Sequence, residues 1–115
     1  MDTMIVIYIP CVAIEEAKKI GLAVMKKRLA PCYNILPDMQ SAAFWPPKSG
    51  EIEEVIHGAV LLLKSVTSKF QSIETEVKQL HSDSNPCIFS LRVDNISGAY
   101  YQWLVSEMEG YEVQK

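Results

Sequence analysis

Two long strands joined by a short turn are predicted for residues 32–64, which read CYNILPDMQSAAFWPPKSGEIEEVIHGAVLLLK. We place the strands at residues 32–45 and 52–64, with Pro46-Pro47-Lys48-Ser49-Gly50 as the turn. Each strand is about twice the usual length for a globular domain. In a chain of 115 residues, a hairpin this long must extend beyond the core that its own molecule offers.

The outer half of this hairpin carries apolar side chains that a lone subunit would leave in water. These side chains are Phe44, Trp45, Ile52, Val55 and Ile56. Long apolar strands exposed to water tend to pair with other chains. We therefore predict that the protein assembles from several copies of itself.

Composition and charge fit one globular domain over residues 1–115. Hydrophobic residues make up 49% of the chain, which argues against a long disordered tail. The net charge of -3 argues against nucleic acid as a partner, because phosphate binding needs clustered Lys and Arg. The basic run Lys26-Lys27-Arg28 ends a predicted helix, where cations favour the helix dipole.

The number of cysteines and the hydropathy of the chain indicate its cellular compartment. Cys11, Cys32 and Cys87 are an odd number without the spacing of a disulfide framework, and free thiols suit a reducing compartment. No segment approaches the roughly 20 apolar residues of a membrane span. The apolar run at residues 4–9 has neither the charged start nor the cleavage site of a signal peptide. We expect a cytoplasmic protein that does not bind membranes.

Hydrophobic periodicity predicts the element order β-α-β-β-α-β and a last helix. The elements are residues 4–9, 14–29, the two hairpin strands, 68–81, 87–93 and 99–109. This order predicts an α+β fold, a ferredoxin-like sandwich in which two helices back a four-stranded antiparallel sheet. The other sheet face has no cover in the chain, which is a second reason to expect self-association.

Three local features of these elements carry predictions of their own. The first helix lacks a capping side chain at Ala13, whereas Thr67 or Ser68 is a plausible cap for the second helix. Pro37 interrupts its strand and predicts an edge position or a bulge. Gly58 predicts a bulge or a close approach of another backbone.

Several segments together match a known family. They are Ile14-Glu15-Glu16-Ala17, residues 28–37, Trp45, Lys64-Ser65, His81 with Pro86, and residues 100–104. On these segments the chain resembles the CutA, or divalent-cation tolerance, family. The resemblance implies a ferredoxin-like subunit, a homotrimer locked by the long hairpins, and a link to copper and other divalent metals. It brings no established reaction with it.

The chain departs from the family pattern in three loops. The hairpin tip reads Trp45-Pro46-Pro47-Lys48 where the family has Trp-Glu-Gly-Lys, and the first loop, residues 10–13, replaces Thr-x-Pro-Asp. In the segment that begins at His81, the family's tyrosine is lost and its glutamate is replaced by Cys87.

Four residues are predicted metal ligands: Cys87, His81, Cys32 and Cys11. His81 and Cys87 lie on either side of a tight turn, so that their side chains can approach each other. Thiolate and imidazole favour Cu(I) or Zn(II) over magnesium or calcium. A third ligand would come from Cys11, Cys32 or a neighbouring subunit.

Structural explanations stay open beside each of these roles. Cys32 can instead be a small buried apolar residue at the start of a strand. His81 can instead stabilise the C-terminus of its helix, where a positive charge is favourable. Tyr100 and Trp103 fit packing anchors as well as a stacking platform. Catalytic residues and an organic cofactor are not predicted, because no nucleophile motif or Gly-rich phosphate loop is present.

The sequence therefore predicts a trimeric CutA-like protein that binds divalent or cuprous metal weakly and serves metal tolerance or homeostasis. The alternative is a trimer similar to the PII signalling proteins, an analogy of fold alone. Such a trimer would signal or act as a scaffold by binding a small ligand or a partner protein in its inter-subunit clefts.

Overall fold

The structure is a computed structural model that describes residues 2–109. Its strands and helices follow one another in the predicted order. The elements are β1 (Met4–Cys11), α1 (Ile14–Lys26), β2 (Cys32–Phe44), β3 (Ile52–Val66), α2 (Phe70–Leu80), β4 (Phe89–Arg92) and α3 (Gly98–Met108), with a 3₁₀ turn at Thr67–Lys69. The strands form one antiparallel sheet in the order β2-β3-β1-β4. This is the predicted α+β fold.

The main core lies between the sheet and the helices α1 and α2. Alternate residues of a strand face the same side of a sheet, and in β1 the buried Ile5, Ile7 and Ile9 face the helices. The same core includes Ile20, Val24, Leu61, Leu63, Ile73 and Val77. We call the opposite side of the sheet the outer face.

Part of the outer face is covered by α3, contrary to the expectation that the chain has no cover for it. Leu104 and Met108 pack with Met4 and Val66 at one end of the sheet. The rest of the outer face stays open, with Leu36, Phe89 and Leu91 exposed. The last helix pattern was recognised in the sequence, but the face against which it packs was not.

The long hairpin extends beyond this core as predicted. Its ladder runs from the pair Cys32–Lys64 to the pair Phe44–Ile52, and its register shifts between Leu36 and Met39. Pro37 lies at this shift, and β2 is the edge strand, so both structural expectations for Pro37 are confirmed. Phe44, Trp45, Ile52 and Ile56 are exposed, whereas Val55 is half-buried.

Strand β1 extends beyond its predicted end, through Pro10 to Cys11. Both added residues pair with β3, Pro10 with Val60 and Cys11 with Ala59. Proline is tolerated here because β4 pairs with β1 only as far as Tyr8, so that Pro10 needs a partner on one side alone.

Helix α1 ends earlier than predicted, at Lys26 rather than next to Pro31. Arg28 adopts a left-handed conformation with φ of 58°. The N–H of Arg28 donates to Met25 O at 2.8 Å, and the N–H of Leu29 donates to Val24 O at 3.2 Å. This is the hydrogen-bond pattern of a Schellman C-cap, which usually employs glycine.

The two helix starts also differ from each other. The start of α1 at Ala13 has no side-chain cap, as predicted. The prediction that Thr67 or Ser68 caps α2 is wrong, because both belong to the 3₁₀ turn and α2 starts after Lys69, which gives no side-chain cap. The Asp2 carboxylate instead accepts the N–H of Ser68 at 2.9 Å. Within residues 2–109 no helix is long and apolar enough to cross a bilayer.

Candidate metal centre

Three side chains of different chemistry meet where β1 ends, α1 begins and α2 ends. Cys11 is the last residue of β1, Glu16 lies in the first turn of α1, and His81 follows α2 directly. Their Sγ, carboxylate oxygen and ring nitrogen lie within 4.8 Å of one another. We call these three residues the Cys11 cluster.

Glu16 ties two loops to the start of α1. Its Oε1 accepts the N–H of Val12 at 2.9 Å, and its Oε2 accepts the N–H of Ser82 at 2.6 Å. Burial alone would raise the pKa of Glu16, but the hydrogen bonds from Val12 and Ser82 outweigh it and hold the pKa below its usual range. The carboxylate is therefore ionised, and it also lies at the positive end of the helix dipole.

His81 is held in one tautomer by two backbone groups. Its ring is almost fully buried, and its Nε2 lies 2.8 Å from the carbonyl oxygen of Pro10. Because a carbonyl only accepts, Nε2 carries the proton. Nδ1 then accepts the N–H of Asp83 at 3.0 Å and lies 3.9 Å from Glu16 Oε2. In the neutral ring the lone pair of Nδ1 is therefore occupied by the N–H of Asp83.

Cys11 is a buried thiol. Burial, together with the nearby carboxylates of Glu16 and Asp83, raises its pKa to about 12. A cysteine nucleophile needs the opposite, a lowered pKa next to a cationic imidazole. The Nδ1 of His81, its unprotonated ring nitrogen, already accepts the N–H of Asp83 and is not free to take a proton from Cys11.

The other two predicted ligands lie outside the Cys11 cluster. Cys87 is exposed in the loop before β4. Cys32 is half-buried at the start of β2, with its Sγ 3.4 Å from Tyr100 Oη. Within residues 2–109, the Cys11 cluster is the place where three potential metal ligands come close together. Metal binding by Cys87 or Cys32 stays a prediction.

Glu16 is the member of the cluster that the sequence reasoning missed. It lies three residues after the uncapped Ala13, at the position from which a capping-box glutamate reaches back to the start of its helix. That spacing is a usable signal. The contact with Ser82 has no such signal, because it joins residues far apart in the chain.

The donor set fits a metal ion after a small local adjustment. Zn–S bonds of about 2.3 Å and Zn–N or Zn–O bonds of about 2.0–2.2 Å place tetrahedral ligand atoms roughly 3.3–3.8 Å apart. The three ligand atoms, which now lie within 4.8 Å of one another, must therefore move closer together to bind a metal ion. The hydrogen bond from the N–H of Asp83 to Nδ1 must break, because Nδ1 would bind the metal. The hydrogen bond from Nε2 of His81 to the carbonyl oxygen of Pro10 is already in place, and metal-bound histidines usually make such a bond with their other ring nitrogen.

Glu16→Gln is expected to lower stability in a pH-dependent way in metal-free protein. Glutamine offers one acceptor oxygen and turns an amide NH₂ towards the other backbone donor, so the free energy of unfolding should fall by about 1.5–3 kcal/mol at pH 7. Because the folded-state pKa lies below the reference value of 4.5, the contribution is present above that pH and is lost as the pH falls through the folded-state pKa. Urea unfolding at a series of pH values measures it.

Glu15→Gln is the control for this experiment. Glu15 lies in the same helical turn and is exposed, so its replacement should change stability little at any pH. A Glu16→Gln effect that stays constant down to acid pH would show that the carboxylate charge contributes nothing.

The comparisons with known proteins agree with one another. The family model described as CutA1 divalent ion tolerance protein matches residues 5–107. The divalent-cation tolerance protein CutA of Archaeoglobus fulgidus is 32% identical over 103 residues, which cover 90% of this chain and 96% of the relative. The CutA of Thermus thermophilus is 32% identical over 104 residues, covering 90% and 95%.

Solved structures give the same result. The structure described as the periplasmic divalent cation tolerance protein CutA from Archaeoglobus fulgidus superposes with a TM-score of 0.83 at 30% identity, covering 95% of this chain and all of that one. CutA from Xylella fastidiosa superposes with a TM-score of 0.85 at 24% identity and supports the fold alone. The chain belongs to the CutA1 divalent ion tolerance protein family.

Proposed function

We propose that this chain binds a divalent metal ion through Cys11, Glu16 and His81, and that this binding serves divalent cation tolerance. The observation that carries the proposal is the meeting of a sulfur, a nitrogen and an oxygen donor within 4.8 Å of one another. Three protein ligands leave a fourth position open for exchange. An open position suits a protein that takes up and releases metal rather than one that holds it as a permanent part of the fold.

The donor types select among metals. Thiolate and imidazole suit copper and zinc, whereas the carboxylate of Glu16 adds a hard donor that favours a divalent ion over Cu(I). We therefore propose Zn(II) or Cu(II) at this centre, with copper still the metal implied by the resemblance. The Cu(I) site at Cys87 and His81 remains the alternative that the sequence predicted.

Binding should depend on Cys11 and His81 when chelator-treated, reduced protein is titrated with Zn(II) against a competing chelator. Cys11→Ser and His81→Gln should each weaken binding beyond the roughly 10–100-fold that changes in outer-shell partners cost. Cys32→Ser is the control, because Cys32 lies on the outer face of the sheet. Equal affinity of the native protein and Cys11→Ser would refute this centre, and loss in Cys87→Ser alone would favour the Cys87 site.

We also propose that the protein acts as a homotrimer in the cytoplasm and binds metal rather than catalysing a reaction. The exposed hairpin residues Phe44, Trp45 and Ile52, which lie at the end of the hairpin away from α3, support self-association. Free cysteines support a reducing compartment. The raised pKa of Cys11 speaks against a nucleophilic role for this cysteine.

A further inference from the structure

A second group of chemically active side chains lies on the outer face of the sheet, beside α3. Lys64 Nζ lies 5.6 Å from the centroid of the Tyr100 ring. The rings of Tyr100 and Trp103 are 5.4 Å apart and tilted by 39°. Cys32 Sγ lies 3.4 Å from Tyr100 Oη. We call these four residues the Lys64 cluster.

The fold brings the Lys64 cluster together through one strand pair and one helix. Cys32 and Lys64 are direct partners in the ladder of β2 and β3, so their side chains share a face. Ser97 caps α3 by accepting the N–H of Tyr100, which fixes the first turn of the helix. Trp103 follows Tyr100 on the same side of α3.

The cluster sits at the border of the cover that α3 provides. Along β3, Val66 packs under α3, and Lys64 is the next residue that points to the same face. Beyond it the outer face is open. Trp103 is 41% exposed, so a large part of its indole ring faces solvent. The Lys64 ammonium group and the exposed indole ring of Trp103 therefore lie on either side of the Tyr100 ring.

Lys64 is half-buried, but its charge has no carboxylate partner in the described chain. The ion pairs found for residues 2–109 include Lys27 with Glu76 and Lys78 with Glu74, and none involves Lys64. Partial burial removes some of the hydration of an ammonium group. The face of an aromatic ring stabilises the ammonium charge in part, and a bound anion would stabilise it more strongly.

The neighbours of Lys64 do not supply a competing negative charge. The side chains next to the ammonium group are a phenol and a thiol, because the Oη of Tyr100 and the Sγ of Cys32 lie 3.4 Å apart in a hydrogen bond. One of their two protons lies in this hydrogen bond, and the other can be donated to a further acceptor. The cluster is thus cationic and rich in donors.

We propose that the Lys64 cluster binds a small organic anion, with a carboxylate or phosphate group at Lys64 Nζ and a flat apolar group against the indole of Trp103. The proposal does not depend on the metal centre. Cys11 belongs to the core on the helix side of the sheet, whereas Tyr100 packs on the outer face. The alternative predicted from the sequence has a small ligand in the inter-subunit clefts of a trimer, whereas the Lys64 cluster is a site within one subunit.

Fluorescence titration with benzoate tests the proposal. The chain has two tryptophans, so a Trp45→Phe background leaves Trp103 as the only indole reporter. Benzoate should change this emission saturably, and phenyl phosphate should compete with it. Acetate should compete more weakly than benzoate, because it has no ring to stack on Trp103.

Lys64→Met should weaken benzoate binding about tenfold or more, and Lys64→Arg should retain it. Lys18→Met, which removes an exposed lysine on α1, should bind benzoate as the background protein does. If Lys64→Met is poorly folded by circular dichroism, Lys64→Gln replaces it. Absence of a saturable change with benzoate, or equal affinity in the Lys64 variants that lack the charge, overturns the proposal.

The two sites are separated by one further variant. Cys11→Ser should bind benzoate with unchanged affinity in the presence of a chelator, even though it is expected to lose metal binding. A parallel loss of both activities in Cys11→Ser would overturn an independent anion site.

Discussion

Replacement of Trp45 by alanine is expected to dissociate the proposed trimer or to lower its melting temperature strongly. Phe44 is 73% exposed, Ile52 is 64% exposed and Trp45 is 48% exposed in the single subunit, all at the far end of the hairpin. If a neighbouring subunit covers them, loss of the tryptophan side chain should cost roughly 3–5 kcal/mol. Light scattering should then show a shift from about three times 13.0 kDa towards one subunit mass.

Leu22→Ala is the matched control for Trp45→Ala. Leu22 is also a large apolar residue, 45% exposed, but it lies on α1 at the other side of the sheet from the open outer face. Its loss should leave the molecular mass unchanged. A native protein that is monomeric and stable at micromolar concentration would refute the trimer, and an unchanged mass and melting temperature in Trp45→Ala would show that the tryptophan is a surface residue.

The elements of the fold were predictable because their signals are local. Alternation of apolar residues defines the hairpin strands, and Pro37 marks the point where the register of β2 shifts. The end of α1 was not predictable in this way, because Arg28 adopts the left-handed conformation that glycine usually marks. The contact between Asp2 and Ser68 was also missed, since it joins the chain start to the start of α2.

The candidate metal centre shows the same limit. Cys11 and His81 were identified by residue type, but their proximity depends on the packing of β1 against the loop after α2. The sequence instead paired His81 with Cys87, which is near in the chain. Glu16 enters the sequence analysis only as part of the segment that matches the family, although its carboxylate receives N–H groups from two loops. Its role depends on Ser82, which the sequence alone cannot place beside it.

Gly58→Ala is expected to destabilise the subunit by roughly 3 kcal/mol, the upper end of the usual cost of overpacking. A Cβ at Gly58 would lie 2.7 Å from Met39 Cε, 2.9 Å from Cys11 O and 3.0 Å from Val55 Cγ1. The Met39 side chain can move away. The carbonyl of Cys11 cannot move as easily, because β1 is held in the sheet by its pairing with β3. The close backbone approach predicted at Gly58 is thus confirmed, and its partner is β1, the strand that carries Cys11.

The backbone and side-chain contacts of Gly58 can be separated by a second substitution. If the Met39 methyl group causes the loss, Met39→Ala should restore the stability of Gly58→Ala. If the Cys11 carbonyl causes it, the double variant should stay destabilised, and this is the result that we expect from urea unfolding. Gly98→Ala is the control, because a Cβ there meets no atom within 4 Å and alanine favours the helix that starts at this residue. Equal stability of Gly58→Ala and the native protein would mean that the ends of β1 and β3 separate readily, and a centre built on Cys11 would then lack the fixed strand on which its geometry depends.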